Sequence, residues 1–509
     1  MPTVVLDGEH LTLEDVERIA RQEARIRISA AARAKMNRSR GLVEKVLSSR
    51  EVVYGINTGF GALCQVVIEP DQISRLQRNL VVSHAAGVGR PLPVPVVRAM
   101  MLLRANVLAK GCSGVRPKVA EHLAAMVNAG LHPLVPEQGS VGASGDLAPL
   151  AHMTLAMLGL GQAELNGRQL PASRALKRIG LSPLNLKAKE GLALTNGTQA
   201  MTALGSLSLM RAERLARTAD ICGALSLEAL LGTPAAFHPR LQRARPYRGQ
   251  RQSAGNLRRL VRGSRIVRSH QGCSKVQDMY SLRCMPQVHG AVREALGHVR
   301  RILEIEINSA TDNPLVFPEQ ELVVSGGNFH GQPVSLALDH AAAALCSLAS
   351  ISERRIASMM DSTISRLPSF LTSRGGLNSG FMMAQVTAAS LVSESKSLAH
   401  PASIDSIPTS ANQEDHVSMG MTAARQAARV LENAEQVLAI ELLCAAQGID
   451  LRLPLQPGRG TLAVYRAVRR QVKRLDRDRI MAPDLERAVE MVRSGKVLGV
   501  AERAVGKLG

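Results

Sequence analysis

The residues best suited to unusual chemistry lie in Gly142-Ala143-Ser144-Gly145-Asp146-Leu147-Ala148-Pro149-Leu150. Small residues flank Ser144, and Gly145 offers a backbone amide with little steric cover. Glycine also reaches backbone angles closed to other residues. If the Gly145 nitrogen attacks the Ala143 carbonyl, a five-membered ring closes. Loss of two waters, one of them taking the Ser144 hydroxyl, leaves an exocyclic methylene. The product is an electrophile, which no ordinary side chain supplies. Asp146 adjoins the tripeptide and is a candidate to assist the closure. Taken alone, Ala-Ser-Gly is a common loop tripeptide, and its plain reading is a loop before an apolar helix. A second group, Gln277, Tyr280 and Arg283, is spaced at intervals of three, so a helix or tight turn puts all three on one side. A guanidinium there offers two parallel donors that match a carboxylate.

The tripeptide has company along the chain. The blocks are Tyr54-Gly55-Ile56-Asn57-Thr58-Gly59-Phe60-Gly61, Ser83-His84-Ala85-Ala86-Gly87, Leu194-Thr195-Asn196-Gly197-Thr198-Gln199, Gln277-Asp278-Met279-Tyr280-Ser281-Leu282-Arg283, Gly326-Gly327-Asn328-Phe329-His330-Gly331 and Ala411-Asn412-Gln413-Glu414-Asp415-His416-Val417-Ser418-Met419. With Ala143 to Leu150, they resemble the signature of the aromatic amino acid ammonia-lyase and aminomutase family, in that family's order. The resemblance runs from Val5-Leu6-Asp7-Gly8 to about Gly448 and weakens in a basic loop and the C-terminal tail. It implies that Ala143, Ser144 and Gly145 cyclise spontaneously into a methylidene-imidazolone group. No metal and no dissociable cofactor is then expected. It implies Tyr54, on a mobile loop, as the catalytic base and Tyr280 as a second candidate; the residues alone leave the choice open. A free phenol has a pKa near 10, so the site is expected to lower it with positive charge or hydrogen bonds. The resemblance gives Asn196 a hydrogen bond to the electrophile or substrate, and packs Phe329 against the electrophile. Gln277 becomes a substrate contact and Arg283 the carboxylate clamp. Homotetramers, with active sites drawn from several subunits, are implied in the same way.

Family members act on histidine, phenylalanine or tyrosine. Ser83-His84 and Glu414 resemble the histidine-acting members, where phenylalanine lyases tend to show Phe-Leu and Gln. An imidazole carries two nitrogens that need partners when buried. A His and a Glu supply complementary donors and acceptors. The expected reaction is elimination of ammonia from L-histidine to give trans-urocanate, the first step of histidine degradation. Met279, Met285 and Tyr247-Arg248-Gly249-Gln250 depart from the family pattern without replacing a functional group.

These residues need elements to position them. The N-terminus reads as a short strand, an Asp7-Gly8 turn and a helix opened by a Thr12/Asp15 capping box. Up to about residue 200, short helices alternate with Gly-rich loops. Beyond it the pattern predicts long helices over Met201–Leu231, Val288–Asn313, Pro333–Met360, Gly380–Leu398 and His416–Gln447, the last capped by Gly448. The expected fold is mainly α. A long central helical bundle (201–509) joins a smaller mixed N-terminal part (1–200) carrying the active-site loops, with a soft boundary and one continuous core.

Composition narrows the class. Aromatic residues make up 2% of 509, with no Trp, so the core must be aliphatic and helix-prone. Seven scattered cysteines without a CxxC pair argue against disulfides and zinc, and fit a reducing, cytoplasmic setting. The N-terminus lacks a basic start and apolar core of a secretion signal, and the uncharged stretch Gly191 to Met210 is too polar for a membrane span. The formal charge of +21 centres on ten arginines between Arg240 and Arg268 with no acidic residue among them. Without a zinc finger, RNP-type sequence or aromatic platform, this stretch reads as a solvated surface, and no specific nucleic-acid partner is expected.

Overall fold

In the computed structural model, which describes residues 1–49, 51–273 and 275–509, the first helix starts where the sequence predicts. The Thr12 hydroxyl accepts from Asp15 N at 3.1 Å, and the Asp15 carboxylate accepts from Thr12 N at 3.2 Å. This reciprocal cap opens helix Leu13–Ala20. Strand Thr3–Leu6 runs parallel to Arg25–Ile28, with Val4 opposite Ile26 and alternate residues buried.

The fold is mainly helical, as expected. Its longest helices are Gln199–Ala229, Met285–Glu306, Gln332–Met360 and Gly420–Asp450, with Met382–Leu398 shorter. Several helix ends differ from expectation. Met285–Glu306 starts three residues early because Pro286 falls in its first turn, where a missing N–H costs nothing, and it stops well short of Asn313. Gly420–Asp450 runs past Gly448, which does not cap it. A Cβ on Gly448 would lie 2.7 Å from the Ala229 Cβ, so this glycine serves close helix approach instead.

Two compact units divide the chain: 1–207, 300–339 and 401–425 form unit 1, and 208–299, 340–400 and 426–509 form unit 2. Leu, Val, Ile, Ala and Met dominate both interiors, and Phe237 and Phe381 are the buried aromatic rings among the described residues. Helix Gln332–Met360 is long and apolar enough to cross a membrane, but most of its apolar stretch is buried protein core. The arginine-rich segment lies in unit 2 across helices Pro239–Ala244, Arg248–Leu260 and Arg265–Ser269. Helix Arg248–Leu260 buries Ser253, Ala254, Leu257 and Leu260 and turns Arg248 and Arg251 outward, which accounts for the sequence pattern as an amphipathic surface helix.

In unit 1, small sheets frame the loops. Val88–Pro91 pairs antiparallel with Pro136–Gln138, immediately before the Gly139–Asp146 loop. The loop ends at helix Leu147–Met157, whose residues are almost all buried. Hairpin Leu315–Phe317/Leu322–Val324 leads into the Gly326-Gly327 loop that carries Phe329.

A fully buried ion pair ties unit 1 together: Lys189 Nζ lies 2.8 Å from Asp312 Oδ2. Burial pushes the lysine's pKa down, and Asp312 opposes that shift. Lys189→Met leaves Asp312 charged without its partner, and is expected to cost about 3–5 kcal/mol, read as a lower urea midpoint. Adding Asp312→Asn should recover part of that loss. An unchanged midpoint for Lys189→Met would remove this pair from the stability argument.

Candidate active site

The Ala143-Ser144-Gly145 loop is fixed at both ends. At its entry, Ser140 Oγ accepts from Gly142 N (3.2 Å) and donates to Asp146 Oδ1 (2.9 Å). Ser418 Oγ donates to Gly142 O at 3.0 Å, and Met419 N donates to Val141 O at 2.8 Å. At its exit, Asp146 Oδ2 accepts from Met201 N (2.9 Å) and Asp146 N donates to Gly197 O (2.7 Å). Burial raises the Asp146 carboxyl to about 6, and hydrogen bonds from the Met201 N–H and Ser140 oppose it.

Gly145 sits at φ +72°, and a Cβ there would lie 2.1 Å from Gly197 O, so no other residue fits. Its N–H makes no hydrogen bond among the described residues, which leaves the nitrogen free to approach the Ala143 carbonyl. The loop therefore suits the ring closure that the sequence suggests.

Two donors converge on the Ser144 carbonyl oxygen. Gly197 N donates at 3.2 Å. With its amide turned so that both ends are satisfied, Asn196 donates at 2.9 Å and accepts from Asn313 N at 2.9 Å. Ser144 Oγ donates to Glu414 Oε1 at 3.1 Å, and Thr409 Oγ1 donates to Glu414 Oε2 at 2.7 Å.

A cavity of about 870 Å³ in unit 1 gathers Tyr54, His84, Ala143, Ser144, Asn196, Phe329 and Glu414. His84 closes helix Ile73–His84, and its Nδ1 lies 3.1 Å from Ser83 Oγ. Burial lowers its imidazole pKa, with the Leu80 carbonyl and Glu414 opposing, so it is neutral near pH 7. The Tyr54 hydroxyl accepts from Gly61 N at 3.4 Å. Here the structure departs from expectation: burial raises the Tyr54 pKa, and the single Gly61 N–H only partly offsets it. No cationic side chain is among the groups that shift it.

Gln277, Tyr280 and Arg283 line another cavity, of about 1160 Å³, in unit 2. Tyr280 opens the one-turn helix Tyr280–Arg283, and the Arg283 guanidinium carbon stands 4.5 Å from its ring centroid. The turn is anchored by Asp278, which accepts from Thr233 N at 2.7 Å and pairs with Lys275 at 2.7 Å. Tyr280 is 71% exposed, so this phenol is open to whatever enters the cavity.

The structure adds groups that sequence reasoning missed: the Gly197 N–H, Thr409, Asn313 and the buried Arg104. Backbone donors leave no mark in a sequence. Arg104 did leave one, as a charge within the apolar run Val94 to Ala109.

The aromatic amino acid lyase family model matches residues 11–470. The chain is 54% identical over 503 residues to histidine ammonia-lyase of Myxococcus xanthus, covering 99% of each. It is 56% identical over 504 residues to that of Anaeromyxobacter sp. (strain K), covering 97% of this chain and 99% of the relative. Among solved structures, histidine ammonia-lyase of Trypanosoma cruzi matches with a TM-score of 0.92 and 46% identity, covering 99% of this chain and 96% of that one. Tyrosine aminomutase of Streptomyces globisporus matches with a TM-score of 0.94 and 40% identity over 100% of both chains. A family model over most of the chain, together with relatives more than half identical along almost the full length, leaves one assignment: the chain belongs to the aromatic amino acid lyase family.

Proposed function

We propose that this chain eliminates ammonia from L-histidine to give trans-urocanate, the first step of histidine degradation. The observation that carries the reading is one cavity placing His84 and Glu414 beside the Ser144 loop. The activity named for the Myxococcus and Anaeromyxobacter relatives supports it.

Ala143, Ser144 and Gly145 would hold the methylidene-imidazolone group, which supplies an electrophile that activates the substrate's poor leaving group. The chain's own residues do the rest. Neutral His84 and Glu414 offer a donor and an acceptor to the two nitrogens of a buried imidazole. Asn196 and the Gly197 N–H draw electron density from the Ser144 carbonyl. Phe329 packs the cavity wall. Tyr54 takes the β-proton, the Cα–N bond breaks and the Cα=Cβ bond forms. Arg283 clamps the carboxylate with Gln277 beside it, and Tyr280 is the second phenol. Because these three line the unit 2 cavity, we place them in a site shared between subunits of a homotetramer, as in the family. Seven free thiols support a cytoplasmic setting.

The test is incubation of the purified protein with L-histidine, L-tyrosine and L-phenylalanine separately, with products separated by chromatography. Urocanate from histidine alone supports the reading. Product only from tyrosine or phenylalanine would overturn the substrate assignment and keep the family. His84→Leu leaves one imidazole nitrogen of the substrate unpaired. It is expected to lower kcat/KM for histidine by about 10–100-fold, the ~1–3 kcal/mol of an unsatisfied buried polar group. An unchanged kcat/KM for histidine would argue that His84 does not read the ring.

A further inference from the structure

We propose that Arg104 is a positioning residue for this elimination, acting through the Asn196–Gly197 peptide on the Ser144 carbonyl. The proposal rests on the function above and deepens it. Arg104 belongs to helix Val94–Ala109, which is buried on almost every side. Its side chain is fully buried, yet among the described residues it donates to no carboxylate. Nη1 donates to Ala193 O at 2.8 Å, Nη2 donates to Asn196 O at 2.8 Å, and Nη2 also donates to Gln199 Oε1. Gln199 is itself fixed by a 2.7 Å bond to Thr311 Oγ1. Nε has no partner among the described residues.

A buried cation that makes no ion pair among the described residues is costly even with the Asp312 and Asp146 carboxylates near enough to favour its charge, so the charge at this position calls for an explanation. Capping helix Glu190–Thr195 accounts for the contact to Ala193 and for the one to Asn196, its C-cap residue. The Asn196 contact also reaches beyond the helix. The Asn196 carbonyl and the Gly197 N–H are two ends of one peptide group. One end accepts from Arg104, and the other donates to Ser144 O at 3.2 Å. Hydrogen bonds in such a chain polarise one another, so the cation strengthens the N–H as a donor. The guanidinium also fills the space beside Gly197: a Cβ there would lie 2.5 Å from Arg104 Nη2. Asn196, whose side chain supplies the second donor to Ser144 O, is held by the same contact. Once the ring has closed, the Ser144 carbonyl is conjugated with the methylene. Any group that draws electrons toward that oxygen makes the methylene a better acceptor for a nucleophile.

The test uses full-length Arg104→Gln and Arg104→Lys. Intact mass shows whether each has lost two waters. Two rates then follow: kcat and KM with L-histidine, and trapping of the electrophile by a small thiol added without substrate. We expect Arg104→Gln to lose both waters and keep KM within about twofold. Its kcat and trapping rate should fall together by about tenfold, less than the ~10²–10³-fold for removing an oxyanion donor outright. Arg104→Lys should fall between, because it keeps the charge and loses the two-carbonyl fork. Unchanged trapping in a folded Arg104→Gln that has lost both waters overturns the proposal. If Arg104→Gln does not fold or cyclise, Arg104→Lys decides: lower thermal stability with parental trapping overturns it. A parent that turns over another amino acid leaves the proposal standing, because trapping needs no substrate. A parent that never loses two waters overturns this proposal and the proposed function together.

Discussion

Ser144→Ala is expected to fold like the parent, to lose at most one water by intact mass and so form no exocyclic methylene, and to lose at least ~10⁴-fold in kcat, about 5 kcal/mol of barrier. The substitution removes one oxygen. The donors that meet Ser144 meet its backbone carbonyl, so Gly197 and Asn196 keep their partner in the variant. Only the bond from Ser144 Oγ to Glu414 is lost, and Thr409 still holds the other carboxylate oxygen. Stability should therefore change by no more than ~1 kcal/mol. Activity and stability come apart for a chemical reason: without the hydroxyl, the second dehydration has no leaving group. Substantial urocanate formation by the variant would show that the loop is only scaffolding.

The second large effect is at Tyr54. Tyr54→Phe keeps the ring and its packing, and is expected to lower kcat by about 10²–10⁴-fold, the range for removing a positioned base. The pH profile gives the sharper reading. Burial raises the Tyr54 pKa above its ordinary value of 10.0 in the chain itself. A base must be deprotonated to act, so kcat/KM should climb about tenfold per pH unit through the neutral range while the phenol remains mostly protonated. Positive charge brought to the cavity by another subunit would move that limb to lower pH. His84 works in the opposite sense. Its pKa is depressed, so its protonation costs activity only below about pH 6.5. If Tyr54→Phe keeps parental activity and Tyr280→Phe does not, the base is Tyr280.

Local features were the most legible in the sequence. The Thr12/Asp15 cap, the helical stretches after residue 200 and the glycine requirement at 145 each follow from a few neighbouring residues. Misreadings came where a tertiary contact decides. Gly448 has the composition of a helix stop, but packing against Ala229 uses it inside a helix. Tyr54 was expected to meet positive charge or hydrogen bonds that lower its pKa, and the structure gives it one backbone N–H, outweighed by burial. The spacing of Gln277, Tyr280 and Arg283 places them together, and the structure does so, but spacing says nothing about which cavity they line. The partners of Arg104 include two backbone carbonyls, which every residue carries, so no pattern of side chains could have named them.

The aliphatic interior has an optical consequence. A core filled by Leu, Val, Ile, Ala and Met, with no Trp and four Tyr in the whole chain, is almost dark in the near ultraviolet. A conjugated ring formed in the Ser144 loop would absorb against very little background, so its appearance could be timed in the native protein without labels. One indole introduced by design would be the sole emitter of its kind. Phe60→Trp, beside the Gly61 N–H that meets Tyr54, would make the movement of that loop visible as fluorescence.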